Sequence, residues 1–262
     1  MDLRGKRVLV TGASRGIGLR LAERFVERGA SVALVARNEV LLKEVASRIG
    51  GTVHPTNLSN PDEVRGLVSR VEAEGGPIDV LVNNAGLDNV GPLERASEEQ
   101  VAELMRVNLL APMELCRQVV PGMVSRGAGH IVNISSMASS AMYPGGTAYG
   151  ASKAGLSHFT EILRWEMKGT KVGLTLVELG PIPTDMLDHV KSYRPTEAGF
   201  ARGYKLQLIV DVPAEAVARE TVEAVEKNKR AVRLPRRAVL FPMLRAAPQR
   251  MVRLLTAGIP NR

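Results

Sequence analysis

The chain has 262 residues, of which 45% are apolar and 24% charged, and its formal net charge is +8. This length suits one α/β domain with a single core, and the composition excludes a disordered chain. No apolar run reaches the ~18 residues that a membrane-spanning helix needs, and residues 1–10 lack the apolar core of a signal peptide. We therefore expect a cytoplasmic protein, with the lone Cys116 as a small buried hydrophobe.

Short apolar, β-branched runs alternate with amphipathic segments through residues 1–235. Because the runs are continuous, they predict strands that helices cover on both faces. We therefore predict a single α/β domain built on a Rossmann-type, doubly wound parallel sheet. The predicted strands are residues 8–11, 31–36, 52–54, 79–82, 130–134, 172–178 and 231–234. Residues 185–212 are the least regular part, and we interpret them as a mobile segment over the substrate.

The first predicted strand leads into a glycine-rich loop at residues 11–18, and a helix follows at once. Glycines let a backbone approach a pyrophosphate, and the helix N-terminus offers unpaired N–H groups and the positive end of its dipole. Glycine-rich turns also serve only to pack a helix on a strand. The setting between a strand and a helix favours a dinucleotide site.

The second predicted strand ends in Ala36, Arg37 and Asn38. An NAD site places a carboxylate here to bind the ribose 2′-OH, and this sequence has none at that point. Arg37, together with Arg15 of the first loop, can hold a 2′-phosphate by charge-assisted hydrogen bonds. The pattern favours NADP(H); the alternative is that both arginines are solvated surface charges.

Tyr149 and Lys153 stand four residues apart in a predicted helix, which places them on one face. An ammonium near a phenol stabilises the phenolate, so we expect Lys153 to lower the pKa of Tyr149 toward the range useful for proton exchange. A tyrosine and a lysine at this spacing are common by chance. The pair becomes specific only together with other motifs.

The positive charge lies at the end of the sequence. Residues 227–262 hold ten basic residues and no acidic ones, which leaves 25 basic and 27 acidic residues before them. With aromatics at 3%, we expect no nucleic-acid binding. Residues 236–262 form a basic amphipathic extension, which fits a peripheral contact with an anionic membrane. The same pattern fits packing against another subunit or over the pocket, which we favour.

Together these motifs resemble the classical short-chain dehydrogenase/reductase family from Lys6 to about Leu234. The matching segments are TGASRGIG at 11–18, NNAG at 83–86, Asn108, Ser136, YGASK at 149–153 and GPIPT at 180–184. The sequence departs from the family at two positions. Asn57 replaces an aspartate that contacts the adenine, and Leu179 replaces a proline, which we expect to loosen the following loop.

The resemblance implies an NADP(H)-dependent oxidoreductase that moves a hydride between nicotinamide and a carbonyl or secondary alcohol, with an apolar ketone, acyl or steroid-like substrate. It implies that Ser136 hydrogen-bonds the substrate oxygen, Tyr149 exchanges its proton, Lys153 binds the nicotinamide ribose, and Asn108 holds a water that relays protons. It also implies a homodimer or homotetramer. The cofactor-binding residues would be Gly12, Ser14, Arg15, Gly16, Ile17, Gly18, Arg37, Asn38, Asn57, Leu58, Asn84, Ala85, Gly86, Tyr149, Lys153, Ile182 and Thr184.

Two alternatives stay open, concerning catalysis and the residues near the catalytic motifs. A catalytically silent NADP(H)-binding sensor or scaffold would keep the cofactor motifs but would not need Ser136, Tyr149 and Lys153 together. The four histidines and Cys116 show no metal-ligand spacing, so we expect no metal. The residues near the catalytic motifs fit a substrate wall and a plain core equally well; they are Met137, Met142, Tyr143, Met186 and Leu187.

Overall fold

The structure is a computed structural model that describes residues 1–207 and 209–235. The basic extension predicted at residues 236–262 lies outside the described residues, so its membrane and packing interpretations stay predictions.

One seven-stranded sheet runs through the described chain, in the order β3-β2-β1-β4-β5-β6-β7, and every neighbouring pair is parallel. The strands are β1 (Arg7–Thr11), β2 (Ser31–Ala36), β3 (Thr52–Pro55), β4 (Val80–Asn83), β5 (Gly129–Ser136), β6 (Val172–Leu179) and β7 (Ala231–Leu234). All seven predicted strands are confirmed. The strand order reverses between β1 and β4, which opens a crevice at their carboxyl ends.

Helices cover both faces of the sheet. They are α1 (Gly16–Glu27), α2 (Glu39–Ile49), α3 (Pro61–Val64), α4 (Leu67–Gly75), α5 (Glu98–Met105), α6 (Ala111–Arg126), α7 (Thr147–Glu166), α8 (Asp185–Lys191), α9 (Arg194–Lys205) and α10 (Ala214–Glu226). Short 3₁₀ turns lie at Leu93–Arg95 and Met137–Ser139, and a π-helical turn lies at Arg106–Leu110.

Two separate apolar cores explain why the strand sequences are continuously apolar. Val8 and Val10 of β1 join the core under α1, α2 and α10, whereas Leu9 joins the core under α4, α6 and α7. Successive side chains of a strand point to opposite faces, so each strand must be apolar on both.

The segment predicted to be irregular, residues 185–212, is mostly helical, and that prediction was wrong. It forms α8 and α9 before the chain reaches α10. The helix-start signals were present, since Asp185 lies in the first turn of α8 and Pro195 in that of α9. Two glycines and few apolar residues in α9 hid the helical periodicity.

Candidate active site

A cleft of about 930 Å³ lies along the carboxyl ends of the strands. Its lining comes from the segments that directly follow β1, β2, β3, β4, β5 and β6, and from α7, α8 and α9. Every residue that the family resemblance implies lines this cleft, with the exception of Asn108. The fold therefore brings the glycine loop, the two arginines and the Tyr149–Lys153 pair to one site.

The glycine loop is packed so closely that side chains would not fit. A Cβ atom on Gly18 would lie 2.1 Å from the carbonyl oxygen of Gly12, and one on Gly12 would lie 2.9 Å from Nδ2 of Asn84. Gly12 also has a positive φ of 67°, which favours glycine. The helix after the loop, α1, has no side-chain cap and no acidic residue in its first turn. The positive end of its dipole is thus not compensated within the helix.

The Thr11 hydroxyl ties the ends of β1 and β4 together. Its oxygen accepts hydrogen bonds from the backbone N–H groups of Asn84 and Ala85, each at 3.0 Å, and the hydroxyl donates to the carbonyl of Val82 at 3.3 Å. The Asn84 side chain donates to the carbonyl of Thr11 at 2.9 Å. These bonds hold residues 84–86 against the glycine loop.

The loop after β1 and the end of β2 each carry one of the two arginines that the sequence predicts at a 2′-phosphate, Arg15 and Arg37. Arg15 pairs with Asp185 at 2.9 Å and Arg37 with Glu103 at 3.7 Å, and both guanidinium groups are largely exposed. None of residues 36–38 at the end of β2 is a carboxylate, because they read Ala-Arg-Asn. The structure therefore brings both cations to one cleft, each beside an acidic side chain.

Asn38 and Asn57, on the same side of the cleft, both use their side chains locally. The Asn38 side chain caps α2 by accepting from the N–H of Leu41 at 3.0 Å. Asn57 Oδ1 accepts from the backbone and the hydroxyl of Ser59, at 3.1 and 2.9 Å. The amide that replaces the family's aspartate thus supports its own turn through its oxygen and keeps its N–H₂ group as a donor.

Ser136, Tyr149 and Lys153 meet where β5 ends and α7 begins. Ser136 is the last residue of β5; its hydroxyl accepts from the N–H of Ala138 at 3.1 Å and donates to the carbonyl of Leu179 at 3.3 Å. Lys153 Nζ donates to the carbonyl of Ile134 at 3.0 Å and lies 5.8 Å from the centre of the Tyr149 ring. Burial lowers the pKa of Lys153 to about 8, because an ammonium is poorly solvated there.

The pKa of Tyr149 moves opposite to our expectation. Burial of the phenol raises it to about 12, the Ser136 hydroxyl opposes this rise, and the negative charge of Asp88 adds to it. The predicted lowering of this pKa is therefore wrong, because desolvation of the phenolate is the largest effect on it. At neutral pH Tyr149 is protonated.

Asn108 lies in the π-helical turn between α5 and α6, and its side chain is fully buried. Oδ1 accepts from the N–H of Leu87 and Nδ2 donates to the carbonyl of Leu87, both at 2.8 Å, while Nδ2 also donates to the Ser152 hydroxyl at 3.1 Å. Asn108 therefore joins the segment after β4 to α7. π-helical turns of this kind are frequent at functional sites.

The far end of the cleft is apolar. The sequence did not decide whether five residues form a substrate wall or part of the core. All five line the cleft: Met137, Met142, Tyr143, Met186 and Leu187. The Tyr143 ring packs edge-on against Phe200 of α9, with ring centres 6.0 Å apart. Leu179, where the family has proline, is buried in β6 and paired with Ser136 and Leu234. Leu179 is thus the last residue of the strand, and the loop that we expected to be looser begins after it.

The sequence reasoning missed a carboxylate next to this apolar end, on a residue that does not itself line the cleft. Asp88 lies two residues after Gly86, and its carboxylate contacts Nδ1 of His189 on α8 at 2.7 Å. The only sequence signal was an acidic residue directly after the NNAG motif, at the carboxyl end of a buried strand. Within residues 1–207 and 209–235, no group of three or more His, Cys, Asp or Glu side chains is placed to hold a metal ion. No helix in those ranges is long and apolar enough to cross a membrane.

Comparisons with known proteins agree with this geometry. Residues 6–195 match the model of the short chain dehydrogenases. A ketoacyl reductase, HetN of Nostoc sp., is 34% identical over 229 residues, which cover 85% of this chain and 79% of that protein. A metagenomic short-chain oxidoreductase in complex with NADP superposes with a TM-score of 0.72 at 30% identity, covering 89% of this chain and 97% of that one. A short-chain dehydrogenase of Sphingobium yanoikuyae in complex with NADPH has a TM-score of 0.78 at 25% identity, covering 94% of each chain.

Proposed function

The chain belongs to the short-chain dehydrogenase family, and from that premise we propose that it is an NADP(H)-dependent oxidoreductase acting on a carbonyl or secondary alcohol. One observation carries the proposal: Ser136, Tyr149 and Lys153 line the same cleft as the glycine loop and the two arginines. A silent NADP(H)-binding module would not need these three side chains at the apolar end of a dinucleotide site.

The residues present fit a phosphorylated dinucleotide. Gly12 and Gly18 leave a cradle that a Cβ would fill, and α1 directs an uncompensated N-terminus at it. Arg15 and Arg37 supply cations where a 2′-phosphate would lie, and residues 36–38 at the end of β2 hold no carboxylate that would repel it. The NADP and NADPH complexes of two similar structures support the same cofactor.

The remaining candidates take the family's places around this cofactor. All of them line the cleft. By the family resemblance, Ser14, Gly16, Ile17, Asn38, Asn57 and Leu58 would lie on the adenosine and phosphate side and Asn84, Ala85 and Gly86 on the adenosine-ribose side. Ile182 and Thr184 would hold the nicotinamide carboxamide. A Cβ on Gly16 would lie 3.8 Å from Cγ2 of Thr184, so the two segments face each other across the cleft. When bound, the nicotinamide supplies or accepts the hydride.

The proton is handled by the chain's own side chains. In reduction, the Tyr149 hydroxyl donates its proton to the substrate oxygen, which the Ser136 hydroxyl also binds. The raised pKa of Tyr149 keeps its hydroxyl protonated at neutral pH, so it can act as the acid. Lys153, held by the carbonyl of Ile134, stabilises the negative charge that develops on the phenol as the proton leaves. Asn108 positions Leu87, and through it the NNAG segment, beside α7.

The apolar end of the cleft supports an apolar substrate, such as a ketone, an acyl compound or a steroid-like molecule. Methionine side chains adapt to irregular apolar shapes, and Met137, Met142 and Met186 all line this end. The ketoacyl reductase among the relatives acts on a compound of this kind, as its name states.

A substrate panel tests the proposed function. The protein is mixed with NADPH or NADH and with aliphatic ketones, cyclic ketones or 3-oxoacyl thioesters, and the loss of the reduced cofactor's absorbance is followed. We expect at least one apolar carbonyl compound to oxidise NADPH, at a kcat/KM that exceeds the value with NADH. A protein that binds NADPH but reduces none of these compounds would favour the silent module.

A further inference from the structure

We propose that Asp88 is a specificity-determining residue that restricts the enzyme to carbonyl compounds without a carboxylate group within two carbon atoms of the reacting carbon. The inference rests on the proposed function and deepens it, because it concerns which carbonyl compounds reach Tyr149.

The backbone that carries Asp88 is fixed close to the catalytic side chains. Both polar groups of the preceding Leu87 peptide are bound by the buried Asn108 side chain at 2.8 Å. A Cβ on Gly86 would lie 3.6 Å from Nζ of Lys153. The segment that carries Asp88 therefore starts beside Lys153 and is held in place by Asn108.

The contact between Asp88 and His189 joins two walls of the substrate end. Leu87, the neighbour of Asp88, lines the cleft, and so do Leu187 and Val190 on either side of His189. The 2.7 Å contact thus connects the segment after β4 to α8 across this end of the cleft. Asp88 is the more buried residue of the pair, since its side chain is 14% exposed whereas that of His189 is 59% exposed.

Asp88 does not line the cleft, but its carboxylate lies between two segments that do, so its negative charge acts on the reacting end. It raises the pKa of Tyr149 and also that of Tyr143, a second phenol that lines the cleft. A carboxylate on a substrate whose carbonyl oxygen meets Tyr149 enters the same field, and two negative charges repel strongly where water is scarce. Specificity is often achieved by such repulsion of the wrong ligand.

The other groups at this end give a substrate carboxylate little compensation. The opposite wall is built from apolar side chains that include Leu187, Val190 and Phe200. The ammonium of Lys153 already donates to the Ile134 carbonyl. Arg202 on α9 also lines the cleft, so the inference concerns only the reacting end and leaves room for an anionic group elsewhere on the substrate.

A neutral ester and its free acid test the inference, for example ethyl acetoacetate and acetoacetate, each with NADPH at neutral pH. We expect the wild-type protein to reduce the ester with a kcat/KM at least about tenfold above that of the acid. In Asp88→Asn this ratio should fall about tenfold, mainly because the acid improves; such a change corresponds to ~1.4 kcal/mol. Asp188→Asn is the matched control, because it removes an exposed carboxylate from α8, the helix of His189. It should leave the ratio unchanged.

Different outcomes separate the inference from the proposed function. Equal reduction of ester and acid by the wild-type protein overturns the inference alone, and so does an unchanged ratio in a folded Asp88→Asn protein. If neither compound is turned over, the ester and acid are chosen to match a panel compound that the protein reduces, and a protein that reduces no compound of the panel overturns both. If Asp88→Asn does not fold, His189→Gln replaces it: this variant keeps the carboxylate and removes its partner, so the preference for the ester should persist or grow. A preference that vanishes in His189→Gln contradicts the role of Asp88.

Discussion

Lys153 carries a charge in a place that water hardly reaches. Its side chain is 4% exposed, and burial lowers its pKa from 10.5 to about 8. Below pH 8 the folded and the unfolded chain both carry the charge, so the folded state bears the full cost of burying it. Between pH 8 and 10.5 the unfolded chain holds a proton that the folded chain has released, and the free energy of unfolding therefore rises with pH.

Lys153→Met removes this dependence. We expect the free energy of unfolding of Lys153→Met, measured relative to wild type by urea denaturation, to fall by about 2 kcal/mol between pH 7 and about pH 9.5, at ~1.4 kcal/mol per pKa unit. Lys171→Met is the control, because Lys171 is exposed before β6 and carries no such burial cost. A difference between Lys153→Met and wild type that does not change with pH would show that the lysine is not buried with its charge.

Residue identities were easier to predict than residue environments. The spacing of Tyr149 and Lys153 gave the pair, but the sign of the tyrosine's pKa shift depends on how much water the fold removes, which no spacing reveals. Asp88 and His189 are 101 positions apart, and only the packing of α8 brings them together. A contact of this kind has no local pattern in a sequence.

At the scale of elements, the turn from β1 into α1 and the end of β2 define the cofactor side. Arg15 and Arg37 are both exposed and paired with carboxylates, so each provides an adaptable cation rather than a buried one. A charge-assisted hydrogen bond contributes about 1.5–3 kcal/mol when well formed and less when exposed.

We expect Arg15→Ala and Arg37→Ala each to weaken NADPH binding roughly five- to tenfold, about 1 kcal/mol or slightly more, and to change NADH binding much less. Fluorescence titration of both cofactors measures the two affinities without requiring a substrate. Arg48→Ala serves as the control, since Arg48 is an exposed arginine on α2 that also faces a carboxylate, Glu23. Equal losses for NADPH and NADH would mean that neither arginine recognises the 2′-phosphate.

The strands were predictable and one pair of helices was not, for a physical reason. Strands buried on both faces need apolar residues throughout, and that requirement is visible in the sequence. Helix α9 instead depends on contacts with a distant loop: the fully buried Thr196 donates to the carbonyl of Pro144 at 2.6 Å, and Phe200 packs on Tyr143. Its helicity follows from those contacts more than from its own periodicity.

At the scale of the molecule, the neighbouring helices α6 and α7 each leave large apolar side chains exposed. The exposed fractions are 38% for Met113, 41% for Val124, 49% for Ile162 and 76% for Trp165. Exposed apolar groups on adjacent helices are typical of a protein–protein interface, which agrees with the homodimer or homotetramer that the family resemblance implies.

We expect Trp165→Glu to shift the protein toward the monomer, because a carboxylate would have to be buried at the interface. Size-exclusion chromatography with light scattering measures the molecular mass directly. Val40→Glu is the control, since Val40 is 67% exposed on α2, away from α6 and α7. A monomeric wild-type protein, or a Trp165→Glu variant with the wild-type mass, would contradict this assignment of the surface.

The whole account depends on hydride transfer with Tyr149 as the proton donor, and isotope transfer tests this most directly. The protein is incubated with a carbonyl compound that it reduces and with NADPH deuterated at either C4 position, and the alcohol is analysed by mass spectrometry. We predict one deuterium on the carbinol carbon from one of the two labelled cofactors, and a rate at least about a hundredfold lower for Tyr149→Phe, since acid–base catalysis typically contributes ~10²–10⁴-fold. An alcohol without deuterium from either cofactor, or a fully active Tyr149→Phe, would contradict the account.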